Sequence, residues 1–143
     1  MLLSDTQILN KLINELESDG FVYSEEDRYF EKKGIDFDIV EQIGREYNGK
    51  SYLYFVGQSP ITPRKFIELS LSYERTEESI TTLIKYIRII YSNLEQIDIM
   101  SGDYRNITFL LHKVNSEEVY ISSEENKCYY ILDENGFRKA LYI

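Results

Sequence analysis

The apolar residues near the N-terminus repeat with the period of an α-helix. Ser4 and Gln7 have the spacing of a capping box, in which each side chain bonds the backbone of the other residue. Gly20 follows as a helix stop. A first helix is therefore predicted between these signals, with one apolar stripe made of Ile8, Leu9, Leu12, Ile13 and Leu16.

A second helical pattern occupies the centre of the chain. Thr76 is a suitable N-cap, and Glu77 and Glu78 complement the helix dipole in the first turn. The pattern predicts one continuous helix of about five turns. Its apolar stripe, which is typical of a core-facing helix, comprises Ile80, Leu83, Ile84, Ile87, Ile90, Tyr91, Leu94 and Ile97.

Most of the remaining chain has strand character. Residues 21–23 and 28–30 flank the turn-like run Ser24-Glu25-Glu26-Asp27, which predicts a hairpin. Segment 62–74 begins like a helix, with Thr62 and Pro63, but its apolar residues then alternate, which favours a strand. After the break at Ser101-Gly102-Asp103, four strands are predicted at Ile107–Val114, Val119–Ile121, Cys128–Leu132 and Phe137–Tyr142.

These patterns predict an α+β fold. Short connections between strands favour an antiparallel sheet, built from β-hairpins and a C-terminal meander, that packs on two amphipathic helices. A chain of 143 residues has the size of one domain, and no linker-like segment divides it. We therefore expect a single α+β domain over residues 1–143.

The string Gly44-Arg45-Glu46-Tyr47-Asn48-Gly49-Lys50-Ser51 matches the pattern of a phosphate-binding P-loop. A P-loop runs directly into a helix, whereas residues 52–56 are aromatic and β-branched and favour a strand. Asn48-Gly49 is also a strong hairpin signal. We therefore interpret the segment as a hairpin turn, and an ATP- or GTP-binding enzyme that uses Gly44–Ser51 stays as the alternative hypothesis.

Other chemical signals are sparse. Asp133 and Glu134 end a Walker B-like run, but Asp133-Glu134-Asn135-Gly136 has the composition of a turn. The chain has one histidine, His112, and one cysteine, Cys128, both within predicted strands. One of each residue cannot form an ordinary structural zinc site. The sequence therefore predicts no catalytic residue, no metal site and no cofactor.

Composition bears on partners and location. A single cysteine and an N-terminus without a signal-peptide pattern favour the cytoplasm. The net charge is −9, and residues 1–49 hold 12 acidic against 5 basic side chains. Such a field repels nucleic acid and anionic membranes and attracts basic proteins. The oligomeric state is left open.

Our preferred hypothesis is a small acidic cytoplasmic inhibitor that binds and blocks a basic protein, for example a nucleic-acid-acting one, as an immunity protein, antitoxin or anti-defence protein does. A structural or oligomeric module without activity is a further alternative. The chain has 13 tyrosines, a residue type favoured at recognition surfaces, and we single out those beside acidic residues. The predicted partner-binding residues are Tyr23, Glu25, Glu26, Asp27, Tyr29, Asp36 and Asp38.

Overall fold

The computed structural model describes residues 2–46 and 51–100 and four further strands. The helices are α1 (Asp5–Glu17), α2 (Glu77–Ser92) and α3 (Leu94–Met100). The strands are β1 (Phe21–Ser24), β2 (Tyr29–Lys32), β3 (Ile35–Glu41), β4 (Ser51–Gln58), β5 (Phe66–Tyr73), β6 (Asn106–Leu111), β7 (Val119–Ser123), β8 (Cys128–Asp133) and β9 (Gly136–Lys139).

The nine strands form one open sheet in chain order, with β1 and β9 at its edges. Strands β1 to β5 pair antiparallel, and so do β6 to β9. Strand β6 pairs parallel with β5, because α2 and α3 carry the chain back to the end of the sheet at which β5 begins. The predicted α+β class, with hairpins and a C-terminal meander, is confirmed. The parallel pairing of β5 with β6 was not predicted.

Alternation along the strands separates two faces of the sheet. In β3, β4 and β5 the buried positions recur at every second residue, as in the aligned row Ile39, Phe55 and Leu69. These side chains belong to the same core as the apolar stripes of all three helices. We call this the helix-covered face, and the opposite side the outer face.

Helix α1 begins as the sequence predicts. The Ser4 backbone N–H donates to Gln7 Oε1 at 2.8 Å, and the Gln7 N–H donates to Ser4 Oγ at 3.2 Å. The side chains of Ile8, Leu12 and Leu16 are completely buried. The capping box and the apolar stripe together fix where α1 starts and which side faces the core.

The prediction of one continuous central helix is wrong, because the helix breaks at Asn93. This residue leaves helical geometry, with φ −123° and ψ 21°, and its Nδ2 donates to the Ile89 carbonyl at 2.8 Å. Leu94 and Ile97 remain buried although they now belong to α3. The break therefore interrupts the helix while the apolar stripe stays in contact with the core.

Segment 62–74 enters β5, as its alternation predicts, but its first residues form a loop held by buried charges. Lys65 and Asp98 are buried, and Lys65 Nζ lies 3.4 Å from Asp98 Oδ1 and 2.9 Å from the Asp98 carbonyl oxygen. Thr62 Oγ1 donates to Asp98 Oδ1 at 2.9 Å, and the Ser59 hydroxyl also donates to this carboxylate. This network fastens the β4–β5 loop to α3.

Gly57 allows β3 and β4 to approach closely. A Cβ atom at this position would lie 2.0 Å from the Asp36 carbonyl oxygen and 2.5 Å from Phe37 Cα. Real Cβ atoms do not approach backbone atoms so closely, so any side chain here would push the strands apart. The place of Asp36 on the sheet therefore depends on the absence of a side chain at residue 57.

The other predicted strands are also present among the described residues. The hairpin around residues 24–27 is formed by β1 and β2, and the four C-terminal strands correspond to β6 to β9. Residues 101–105 and 112–118, which include the predicted chain break and His112, lie outside the described residues, as do residues 140–143. The single-domain organisation stays a prediction.

Ile87 lies in the core with no exposed surface, and Lys85 is exposed on the same helix. We expect Ile87→Ala to lower the free energy of unfolding by about 2–5 kcal/mol, because it leaves a cavity under the sheet. Lys85→Ala should cost no more than about 0.5 kcal/mol. Urea denaturation followed by circular dichroism measures both changes, and equal losses would contradict the assigned helix face.

Candidate functional site

The turn between β1 and β2 presents three exposed acidic residues, Glu25, Glu26 and Asp27. The Arg28 N–H donates to the Ser24 carbonyl at 2.8 Å, and the Asp27 N–H donates to Ser24 Oγ at 3.3 Å. Arg28 closes the turn in the left-handed region, with φ 58°. The turn is therefore held by its own hydrogen bonds rather than by its acidic side chains.

The Arg28 side chain reaches away from these acids. Its Nε donates to Oε1 of the buried Glu41 at 2.6 Å, and an Nη donates to the Ile43 carbonyl at 3.1 Å. The hydrogen bond to Glu41 is the main cause that raises the pKa of Arg28. Arg28 is thus paired with the buried Glu41, and this contact stabilises the turn.

Carboxylates continue from the turn onto the outer face of β2 and β3. Tyr29 Oη donates to Glu31 Oε2 at 3.1 Å, and this bond is the main cause that raises the pKa of Tyr29, with smaller effects from Asp27 and Asp38. Tyr29 therefore lies between the turn and the acids of β3.

The pKa of Asp38 shows the effect of the surrounding carboxylates. Partial burial raises the pKa of its carboxyl, and the neighbouring carboxylates of Glu31 and Asp36 raise it further. Each of these effects acts in the same direction, and no cation of the described residues offsets them. The group therefore carries a repulsive charge that a basic ligand would relieve.

Six of the seven residues predicted from the sequence come together on one continuous surface. Tyr23 lies elsewhere: it is opposite Phe30 in the strand register, and the two rings pack 4.7 Å apart on the helix-covered face. Burial is the main cause that raises its pKa. We define the acidic surface as Glu25, Glu26, Asp27, Tyr29, Glu31, Asp36 and Asp38.

Glu31 was missed by the sequence argument. It stands two residues after Tyr29 on the same strand, and residues at this spacing share one face of a sheet. The spacing from Tyr29 was therefore the sequence signal that could have identified Glu31. The structure adds that the two side chains are hydrogen bonded and that Glu31 acts on Asp38.

A cleft extends the acidic surface towards the helices. It has a volume of about 450 Å³ and lies between Gly34–Asp36, residues 58–60 and the end of α2 with the start of α3. Asp36 and Glu95 contribute carboxylates to its lining, and among the described residues no lysine or arginine lines it. Its electrostatics suit a basic side chain better than an anion.

The P-loop-like string does not have P-loop surroundings. Ser51 begins strand β4, which continues to Gln58 and pairs antiparallel with β3. A strand therefore follows the string where a P-loop requires a helix. Gly44 has φ +97° within the connection between these strands. The segment therefore joins the two strands of a hairpin, and Asn48-Gly49 itself lies outside the described residues.

The Walker B-like run also belongs to a hairpin, because Asp133 at the end of β8 pairs with Gly136 at the start of β9. Among the described residues, no group of three or more histidine, cysteine or acidic side chains is arranged to hold a metal ion. Within the same part of the chain, no helix combines the length and apolar character needed to cross a bilayer.

No family model, curated protein or solved structure matches this chain. The residues of the site are therefore the guide to its function.

We expect ATP and GTP, each with Mg²⁺, to bind no more tightly than about 1 mM. The reason is that β4 replaces the helix whose N-terminus would hold the phosphates. Isothermal titration calorimetry measures this, with Lys50→Ala as the paired variant. Submicromolar affinity that disappears in Lys50→Ala would establish nucleotide binding at Gly44–Ser51.

We expect Asp38→Asn to stabilise the protein at neutral pH. Because the pKa of Asp38 is raised in the folded state, its ionised form opposes folding above that pKa, and this penalty disappears as the pH falls below the unfolded value of about 3.9. The gain should be roughly 0.5 kcal/mol or less at pH 7, because solvent screens the group.

Urea denaturation of both proteins at several pH values measures this difference. Glu46→Gln, which removes a charge from an exposed loop residue, is the control and should change stability little. A loss of stability in Asp38→Asn at neutral pH would mean that the carboxylate makes a favourable contact and that the acidic surface is not repulsive.

Proposed function

We propose that this protein is an acidic inhibitor that binds a basic partner protein in the cytoplasm, in the manner of an immunity protein, antitoxin or anti-defence protein. The observation that carries the proposal is the acidic surface, in which the exposed carboxylates of Glu25, Glu26 and Asp27 continue onto the outer face of β2 and β3, where these strands place no lysine or arginine. Carboxylates near Asp38 raise its pKa in addition to burial. A surface of this kind lowers its own electrostatic energy when it meets positive charge.

The geometry of the acidic surface suits protein recognition. Exposed carboxylates at the turn would steer a basic partner during its approach and increase the association rate. Tyr29 would add apolar contact area and a hydroxyl close to the point of docking. Carboxylates disfavour phosphate groups, so a nucleic acid or an anionic membrane is not the proposed partner.

A noncatalytic mechanism follows from this proposal. The inhibitor would act by occupying the positively charged surface with which its partner binds a substrate, and its carboxylates would take the place of substrate anions. The basic partner would be a toxin or nuclease-like protein whose active surface is rich in lysine and arginine.

The test is affinity capture from the native cytoplasm, followed by binding kinetics on the triple variant Glu25→Lys, Glu26→Lys, Asp27→Lys. We expect about a tenfold or greater loss in association rate at low salt, and a weaker dependence of that rate on ionic strength. Thermal denaturation checks that the variant is folded, which we expect because these side chains are exposed.

A matched control reverses three other exposed acids, Glu17→Lys, Glu46→Lys and Glu74→Lys, and changes the net charge equally. This control should retain most of the association rate if the local surface, rather than total charge, guides binding. Equal rates for the wild-type protein and the turn variant would remove the turn from the interface. Equal losses in both triple variants would mean that only overall charge matters.

A further inference from the structure

The outer face continues beyond the acidic surface onto β4 and β5. The register aligns Asp38 with Val56 and Val56 with Glu68, so an apolar side chain stands between two carboxylates on three adjacent strands. The next row places Val40 opposite Tyr54. Side chains directly opposite one another in a sheet are close neighbours, so these residues form one continuous patch.

The patch exposes apolar and aromatic groups. Val56 is 40% exposed, and Phe66, at the start of β5, is 46% exposed. The Tyr52 and Tyr54 rings are half-buried and stacked on the same face, with centroids 6.3 Å apart. A mixture of tyrosine and apolar side chains with flanking charge is typical of the centre and rim of a protein interface.

Positive charge is absent from the outer positions of these strands. Lys32 is the only lysine or arginine within β2 to β5, and its Nζ lies on the helix-covered side, 5.3 Å from the centre of the Phe21 ring. Lys65, which precedes β5, is buried against Asp98. The carboxylates of Asp38 and Glu68 thus share a face with tyrosine and apolar residues and with no strand cation.

We propose that the outer face of β3 to β5 is the docking surface for the basic partner. We call it the strand face, and it consists of Asp38, Tyr52, Tyr54, Val56, Phe66 and Glu68. This inference rests on the proposed function and deepens it by naming the chemistry of the partner. The partner presents an apolar side chain, flanked by lysine or arginine residues, to Val56.

Each part of the strand face has a role in this arrangement. The apolar side chain covers Val56 and removes its exposed surface from water. The flanking cations meet Asp38 and Glu68, which stand on either side of Val56. A guanidinium group can also lie over the Tyr52 or Tyr54 ring, which adds a cation–π contact.

Charge complementarity selects this occupant over others. A second copy of the chain would bring the same carboxylates against Asp38 and Glu68, and an anionic membrane or nucleic acid would bring phosphates. Both arrangements juxtapose like charges. A basic protein surface satisfies the carboxylates and the apolar centre together.

The first test uses a synthetic peptide of alternating arginine and leucine as the probe, with a glutamate–leucine peptide as its charge-reversed control. In a nuclear magnetic resonance titration of the full chain, we expect the basic peptide to shift the amide signals of Asp38, Val56 and Glu68. The shifts should weaken as salt is added. Shifts spread evenly over all acidic segments, or equal effects of both peptides, would overturn the inference.

Two variants locate the contact. Val56→Arg places a cation between the two carboxylates and should weaken peptide binding about tenfold or more. Val56→Thr keeps the side-chain shape and β-branching, preserves the fold, and should weaken binding a few-fold through the loss of apolar contact. The matched control is Ile99→Arg, which makes the same substitution type at a 62% exposed residue of α3 and should bind as the wild-type protein does.

The captured partner separates this inference from the proposed function. If Val56→Arg and Val56→Thr both bind the partner normally while the Glu25, Glu26, Asp27 triple variant does not, the inhibitor proposal stands and the strand face is wrong. If the Val56 variants lose binding, the strand face is supported. If all these variants bind the partner normally, neither the strand face nor the turn lies in the interface, and the inference is wrong. Sedimentation measurements that find a dimer disrupted by Val56→Arg would identify a second copy as the occupant and overturn the inference.

Discussion

The packing of α2 against the middle of the sheet is the contact on which the other features depend. Tyr91 illustrates it, because its ring meets Phe21, Phe37 and Phe55 and its hydroxyl donates to the Phe37 carbonyl. A sheet whose side chains alternate can bury one face in this way and leave the other to solvent. Burial beneath α2 therefore determines which residues of β3 and β4 are available for recognition.

The positions of the paired lysine and arginine residues follow from the same separation of the sheet into a helix-covered face and an outer face. Arg28 is bound to Glu41, Lys65 to Asp98 and Arg75 to Asp5, while Arg88 contacts Asp19 and Glu15 near the end of α1. These pairs join strands, loops and helices on the helix-covered side. Their structural use leaves the outer positions of β2 to β5 with carboxylates but no lysine or arginine, which is the basis of both functional proposals.

Local sequence signals predicted much of the fold because they act over a few residues. The Ser4–Gln7 box placed the start of α1, and alternation identified β5 despite the helix-like Thr62-Pro63 start. The break at Asn93 was not predictable from the stripe, since Leu94 and Ile97 stay buried on both interpretations. Parallel pairing of β5 with β6 joins residues about forty positions apart, and no local pattern encodes such a contact.

For the candidate site, alternation grouped Asp36 with Asp38 but did not reveal that Tyr23 faces the core.

The left-handed turn at Arg28 has a consequence for the thermodynamics of recognition. Hydrogen bonds to Ser24 and the contact between Arg28 and Glu41 already fix the backbone that carries Glu25, Glu26 and Asp27. A segment ordered before binding has little backbone entropy left to lose when a ligand docks. Association at this turn would consequently resemble the fitting of two preformed surfaces, with little change in the shape of the hairpin.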